Sequence, residues 1–355
     1  ILCISFTNEA CNSLKNKLKK YYSYDIDVLT FHKLGLNIIR EKTQEFSIAN
    51  NYLDIVIKEI LEQEDLKKIL QKYYSNEYIS QLDKLISTFI HLYKSSYDNL
   101  DYYKKIFKKN INKKELILLK IIYKIHSLYE LELNSQNELD FDDMLHLANK
   151  LVLKNGIKKK YKYIIIDEYQ DTSYVKFNLI KNILEKTNAH LLAVGDDFQS
   201  IYRFTGCNLD IFVNFKKYFK DSTIMKIENT YRNSLELINI TSKFILKNKK
   251  QIKKNLQSSK HLDKPIKYIY YNNKKEIFKK LIIDIYNKTK KEIMILGRNN
   301  KDINSVINDD FILSNNDLIF LKNKDIKMKY YTVHKSKGLE SDNVIIINME
   351  DKLLG

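Results

Sequence analysis

Short apolar runs that break off in polar residues occupy both ends of this chain, and a long stretch of helical periodicity lies between them. Ile1 to Phe6, Val28-Leu29, Tyr163 to Ile166 and Ala189 to Val194 each have the length and branched composition of a strand, and the Tyr163 run reads as buried on both faces. Thr7 offers an N-cap for a helix to about Lys20, with Ala10, Leu14 and Leu18 on one face; a helix carrying Leu34, Ile38 and Ile39 follows Thr30-Phe31-His32. From about Gln44 to Asn137, apolar positions such as Ile55, Ile60, Leu116, Leu119, Ile122 and Ile125 recur at helical spacing. No glycine or proline interrupts that stretch, and no strand is expected in it. Farther on, Ile266 to Tyr271, Glu292 to Leu296 and Val344 to Ile347 read as strands, with a helix over about Lys274 to Asn287. That alternation predicts a second parallel α/β domain.

The Tyr163 to Ile166 run ends in two adjacent carboxylates, Asp167 and Glu168. Ligands of open α/β sheets bind outside the carboxyl ends of the strands, so both acids stand where a substrate would lie. Mg²⁺ prefers one or two carboxylates plus phosphate oxygens, and hydrolysis of a nucleoside triphosphate also needs a group that positions or deprotonates water. Asp167 is the candidate Mg²⁺ ligand and Glu168 the candidate for the water. Strands often end in charged turns, so the pair needs support from its surroundings. It has that support in Gln170-Asp171-Thr172 and in a second strand followed by Gly195-Asp196-Asp197-Phe198-Gln199-Ser200-Ile201-Tyr202-Arg203-Phe204.

In this order, DEYQDT and VGDDFQSIYRF resemble the second and third motifs of the UvrD/Rep family of superfamily 1 DNA helicases. The resemblance makes Gln199 a γ-phosphate sensor and sets Tyr202, Arg203 and Phe204 at DNA. Phe204 also has a reading as a core residue, and the family often has tryptophan there and arginine at the place of Thr205. Ser5 to Ala10 and Val28 to His32 resemble motifs Ia and Ib, which implies that Phe6, Asn8, Thr30 and His32 face single-stranded DNA. Taken alone, the first is also a plain strand-to-helix turn, and His32 is packed or solvated rather than catalytic. Leu139 to Leu145 resembles motif Id, where capping and the helix dipole explain the acids. Lys226 to Ser234 resembles motif IV, following a short strand, and implies that Arg232 reaches the γ-phosphate; Asn229 is displaced by one position from the family's pattern. Tyr331 to Glu340 resembles motif V, which bridges DNA and nucleotide. It places His334 at DNA and Gly338 and Glu340 at the nucleotide, glycine allowing close approach to a phosphate and glutamate accepting from a ribose hydroxyl.

What the resemblance implies is an α/β protein of two RecA-like, P-loop NTPase-type parallel-sheet domains. The first would span 1–43 and 138–222 with a helical insertion at 44–137, and the second 223–355 without a large insertion between motifs IV and V. It implies ATP and Mg²⁺ as cofactors, 3′ to 5′ movement on single-stranded and partly duplex DNA, and repair or recombination proteins as further partners. No G-x-x-x-x-G-K-[ST] string occurs. In the family that loop lies shortly upstream of the strand starting here at Ile1, and another γ-phosphate arginine lies downstream of motif V. The chain is therefore expected to be a fragment, inactive alone. A catalytically inactive DNA-binding subunit is the first alternative, opposed by the joint retention of Asp167, Glu168, Gln199 and Arg232. The motor half of a helicase-nuclease is the second, although no nuclease-like acid cluster is visible.

Composition changes this picture little. The formal charge of +17 suits a polyanionic partner. Yet abundant Lys, Asn, Ile and Tyr beside 1 Pro, 0 Trp and 7 Gly look like the echo of an AT-rich genome, so charge alone decides little. Scarcity makes the arginines informative: Arg40, Arg203, Arg232 and Arg298, two of them inside motifs. Arg298 reads equally as a ligand contact or a surface residue. Cys3, Cys11 and Cys207 have no metal-binding spacing and point to a reducing compartment. No apolar run approaches a membrane span, and the expectation is a soluble, cytoplasmic protein.

Overall fold

The computed structural model describes residues 1–21, 26–42, 46–49, 52–97, 99–109 and 111–349. Its chain divides into two units, Ile1–Lys226 with Asn248–Lys253, and Ile227–Lys247 with the residues from Lys254 onward.

The first unit is built on a parallel sheet of β1 (Leu2–Ile4), β2 (Asp27–Leu29), β5 (Tyr163–Ile166) and β6 (His190–Ala193), in the order β2-β1-β5-β6. Side chains alternate across it. Leu2, Ile4, Ile164 and Ile166 face the helices Phe31–Arg40, Phe141–Asn155 and Tyr174–Thr187, with which they form the main core. Cys3, Val28 and Ile165 face the helix Asn8–Tyr21 through Cys11, Leu14 and Leu18. Burial on both faces was expected for the Tyr163 run but stops short of its first residue. Tyr163 is 52% exposed, Leu192 on edge strand β6 56% and Val194 just after it 43%, because the Asn8–Tyr21 helix packs over β1, β2 and Ile165 only.

The helical stretch holds helices at Tyr52–Leu61, Glu64–Tyr73, Asn76–Ile79, Leu82–Lys94, Tyr102–Phe107 and Lys113–Gln136. They enclose a core of their own that includes Leu53, Ile57, Ile86, Ile90, Tyr103, Ile122 and Ile125. The longest helix opens with a reciprocal capping box between Asn112 and Glu115. One expectation fails here, since β3 (Ser47–Ile48) pairs in parallel with β4 (Glu138–Leu139) where no strand was anticipated. Two-residue strands formed across so long a separation leave no local periodicity to read.

A buried ionic cluster joins this helical stretch to the sheet-packing helix Phe141–Asn155. Lys94, 3% exposed, donates to Glu130, lies 2.8 Å from Asp140 Oδ2 and donates at 2.7 Å to Asp143 Oδ2. Tyr129 OH donates to Asp140 Oδ2 at 3.0 Å, and His126 lies 3.3 Å from Glu130. Asp140 also caps its helix, Oδ1 accepting the Asp143 N–H at 2.8 Å, so capping explains only part of what these acids do.

The second unit has a five-stranded sheet, β11-β7-β10-β9-β8. β7 (Ile293–Gly297) lies between β10 (Met328–Thr332) and β11 (Asn343–Ile346), parallel to both, and the hairpin of β8 (Phe311–Ser314) and β9 (Asp317–Phe320) adds an antiparallel edge. The helix Lys274–Thr289 packs Phe278 and Ile282 on this sheet. Ile266 to Tyr271, expected as a strand, joins no ladder, and Tyr268 and Tyr270 are 78% and 92% exposed. Aromatic and branched residues favour extended backbone, but a strand also needs a neighbour to bond. The short strand expected ahead of Lys226 likewise does not form, a single bridge joins Asn229 to Gln257 within the motif, and the helix begins at Leu235, capped by Ser234.

Candidate functional site

All four strands of the first sheet are parallel, so their carboxyl ends and the loops that follow share one rim. Those loops begin at Ser5, Thr30, Asp167 and Val194, which brings Phe6, Thr30, His32, Asp167 and Glu168 to the same edge as the Gly195–Phe204 segment.

Asp167 donates its backbone N–H to Ile4 O at 3.0 Å, tying the strand end to β1, and its exposed carboxylate accepts the Glu168 N–H at 2.9 Å. Glu168 stands in the left-handed region at φ 51, unusual for a residue with a β-carbon and costing on the order of 1 kcal/mol or more. The strain is held by Tyr169 N–H on Val194 O at 2.9 Å and by a 3-10 turn over Tyr169–Asp171. This turn aims the Glu168 carboxylate at Gln170, whose side-chain NH₂ donates to it. Gln170 is fully buried, and its Oε1 accepts the Asp196 N–H at 2.9 Å. Asp196 in turn accepts from Gln199 Nε2 at 2.9 Å. A continuous chain of hydrogen bonds therefore links Glu168, Gln170, Asp196 and Gln199. Gly195 makes the approach possible, because a β-carbon there would come 2.4 Å from Gln170 Oε1 and 2.9 Å from Phe212.

The two motif loops are also locked together directly. Cys207 Sγ donates to Asp171 O at 2.8 Å, Asn208 N–H to Thr172 O at 2.9 Å, and Ser173 bridges Cys207. Between them, Gly206 passes close over Ser95 with φ 87, a place no side chain could occupy.

Along the same rim, Phe6 meets Phe31 edge-on at 5.9 Å and His32 meets Phe141 edge-on at 5.2 Å. Thr30 caps its helix, Oγ1 accepting the Lys33 N–H at 3.2 Å. Asn8 is exposed in the first turn of its helix. Burial, helped by the Lys176 charge, lowers His32 to about 4, so the imidazole is neutral at physiological pH and brings no positive charge. Tyr202 and Phe204 lie edge-on with centroids 6.2 Å apart. Phe204 is 53% exposed, which removes the core reading, and Arg203 is exposed beside it.

In the second unit, Arg232 forms an ion pair with Glu340. Gly338 has φ 81 with open space around it, and His334 is exposed. Thr332 Oγ1 accepts the Lys335 N–H at 3.3 Å and anchors the loop. Arg298 is exposed, and its backbone N–H goes to Asp302 at 2.8 Å.

Sequence reasoning missed that Gln170 and Asp196 link the two loops by hydrogen bonds, although both lie inside the quoted motifs. Their partners are side chain to side chain and side chain to backbone across two loops, and spacing does not reveal such contacts. Among the described residues no three His, Cys, Asp or Glu side chains gather as a cage for a metal, and no helix is long and apolar enough to cross a membrane.

Comparison with known proteins bears on the same residues. The family model described as UvrD/REP helicase N-terminal domain matches residues 1–220. ATP-dependent DNA helicase Rep of Buchnera aphidicola subsp. Acyrthosiphon pisum is 30% identical, over 99% of this chain and 54% of its own length. A probable DNA helicase II homolog of Rickettsia conorii is 30% identical over 76% of this chain and 41% of its own. ATP-dependent DNA helicase PcrA of Staphylococcus aureus is 24% identical over 99% and 48%. The chain thus spans about half the length of the curated relatives it matches. With the family model covering the whole stretch that holds the paired acids and their linked glutamines, the chain belongs to the UvrD/Rep helicase family.

Proposed function

We propose that this chain is part of an ATP-dependent DNA translocase or helicase that moves 3′ to 5′ along single-stranded DNA. The observation that carries the reading is the hydrogen-bonded chain from Glu168 through Gln170 and Asp196 to Gln199 beside Asp167. It joins a carboxylate suited to water to an amide suited to the γ-phosphate.

Asp167 suits Mg²⁺: one carboxylate oxygen is bonded to backbone, and the side chain is exposed at the rim, the one-carboxylate arrangement that leaves phosphate and water to complete the shell. When bound, the ion would neutralise charge on the phosphate oxygens. Glu168 orients the attacking water and takes its proton, its own position fixed by Gln170 and by the strained turn. Gln199 donates toward the γ-phosphate; Arg232, Gly338 and Glu340 are nucleotide-binding residues of the second unit. Phe6, Asn8, Thr30, His32, Tyr202, Arg203, Phe204 and His334 serve the strand. Because the chain has no G-x-x-x-x-G-K-[ST] loop to cradle phosphates, these 355 residues by themselves do not turn over ATP.

The test is ATP turnover by the complete protein with and without single-stranded DNA, together with arrival kinetics on strands labelled at either end. The proposal expects DNA-stimulated turnover and a signal that depends on strand length for 5′ labels. Turnover indifferent to DNA would reject it.

A further inference from the structure

One lysine at the rim has a setting unlike that of the many surface lysines. Lys176 lies in the first turn of the helix Tyr174–Thr187 and is partly buried. Its Nζ stands 4.4 Å from the ring centroid of Phe6 and 5.7 Å from that of Phe31, the aromatic residues that follow β1 and β2. Among the described residues, no carboxylate comes within 4.0 Å of this ammonium; Asp142 and Asp171 act on it only from farther away. Burial lowers its pKa. Two ring faces return only part of the hydration that the ammonium has given up, and an anion would return the rest. His32, neutral beside it, cannot supply the positive charge that a phosphate at this place would need.

We propose that Lys176 is a DNA-contacting residue, receiving one backbone phosphate of the single strand at the rim formed by Phe6, Thr30 and His32. This rests on the reading of that rim as the strand-binding face. Phe6 would then hold the ammonium from one side while the phosphodiester meets it from the other. The contact reads charge and no base, so it adds affinity without sequence preference.

The experiment is a titration of fluorescein-labelled oligo(dT) with the complete protein, unaltered, K176M and K176R, over a range of KCl concentrations and without nucleotide. Loss of one phosphate contact should reduce the slope of log affinity against log salt by about 0.7, which is roughly a fivefold loss of affinity at ~0.1 M salt. K176R should keep the slope, and ATP affinity should be the same in all three proteins. A purely structural lysine would leave the salt slope unmoved in K176M, and that result overturns the inference. So would loss of ATP affinity with strand binding intact, which would assign the ammonium to a nucleotide phosphate. Absence of strand binding by the unaltered protein would instead bring down the motor reading itself.

Discussion

Lys94 and Lys176 are both withdrawn from water in the first unit, in opposite company. Lys94 is enclosed by three carboxylates, and a tyrosine and a histidine bond to two of those acids. Lys176 has two phenyl rings and, among the described residues, no acid within ion-pair distance. The first arrangement is closed, its charges satisfied inside the fold at the joint between the helical stretch and the sheet. The second is open and waits at the rim where strand ends meet. Burial of a charge thus separates into two cases by its partners: complete internal pairing marks a structural joint, and incomplete pairing at a strand-end rim marks a place for a ligand.

The largest effect should come from breaking the closed cluster. Lys94→Met leaves Glu130, Asp140 and Asp143 facing one another without a counter-charge, and should destabilise the first unit by about 3 to 5 kcal/mol. Lys176→Met should change stability by less than about 1 kcal/mol, since it removes a partly desolvated charge that no acid in ion-pair range offsets. Thermal unfolding of the two variants side by side measures both. Equal losses would erase the distinction.

The aromatic residues divide in the same way. Tyr103, fully buried, stacks on Tyr93 at 4.3 Å and bonds to His126, whereas Phe204 is 53% exposed next to Tyr202. Phe204→Ala should therefore leave folding intact and weaken single-strand affinity by roughly 1 to 3 kcal/mol, the worth of one stacked base. A cooperative loss of structure in that variant would place Phe204 with Tyr103.

The closed cluster should also carry a pH dependence. Burial, followed by the Asp140 and Glu130 charges, raises Asp143 to about 7 against the pull of Lys94. The folded carboxyl keeps a proton that the unfolded one releases near its ordinary value of 3.8. Stability should accordingly fall as pH rises from about 4 to about 7, by no more than about 1.4 kcal/mol per pH unit for one proton. Asp143→Asn should flatten that part of the profile, as read from unfolding midpoints at pH 5 and pH 7.5. An unchanged slope would mean that Asp143 is ionised throughout.

How far sequence foretold this arrangement depended on whether the physics was local. Asp167 and Glu168 were legible because an apolar run ended in them, and a strand end in a parallel sheet fixes its own edge. Thr7, expected as an N-cap, accepts the Ala10 N–H at 3.1 Å, a partner within one turn. Ile266 to Tyr271 misled because extended propensity is local while pairing is not. The Lys94 cluster draws on positions 94, 130, 140 and 143, from three helices, and only folding brings them together. Lys176 was invisible for a related reason: among so many lysines, only its place against Phe6 and Phe31 distinguishes it.

The linked acids and amides at the end of β5 are the centre of the proposed hydrolysis. The most direct measurement is DNA-stimulated ATP turnover by the complete protein carrying Glu168→Gln, with single-strand affinity measured on the same preparation. Turnover should drop by ~10²- to 10⁴-fold, the usual contribution of a positioned general base, while strand affinity stays within about twofold of the unaltered protein. Undiminished turnover in that variant would contradict the assignment of Glu168, and with it the reading of this rim as the site of hydrolysis.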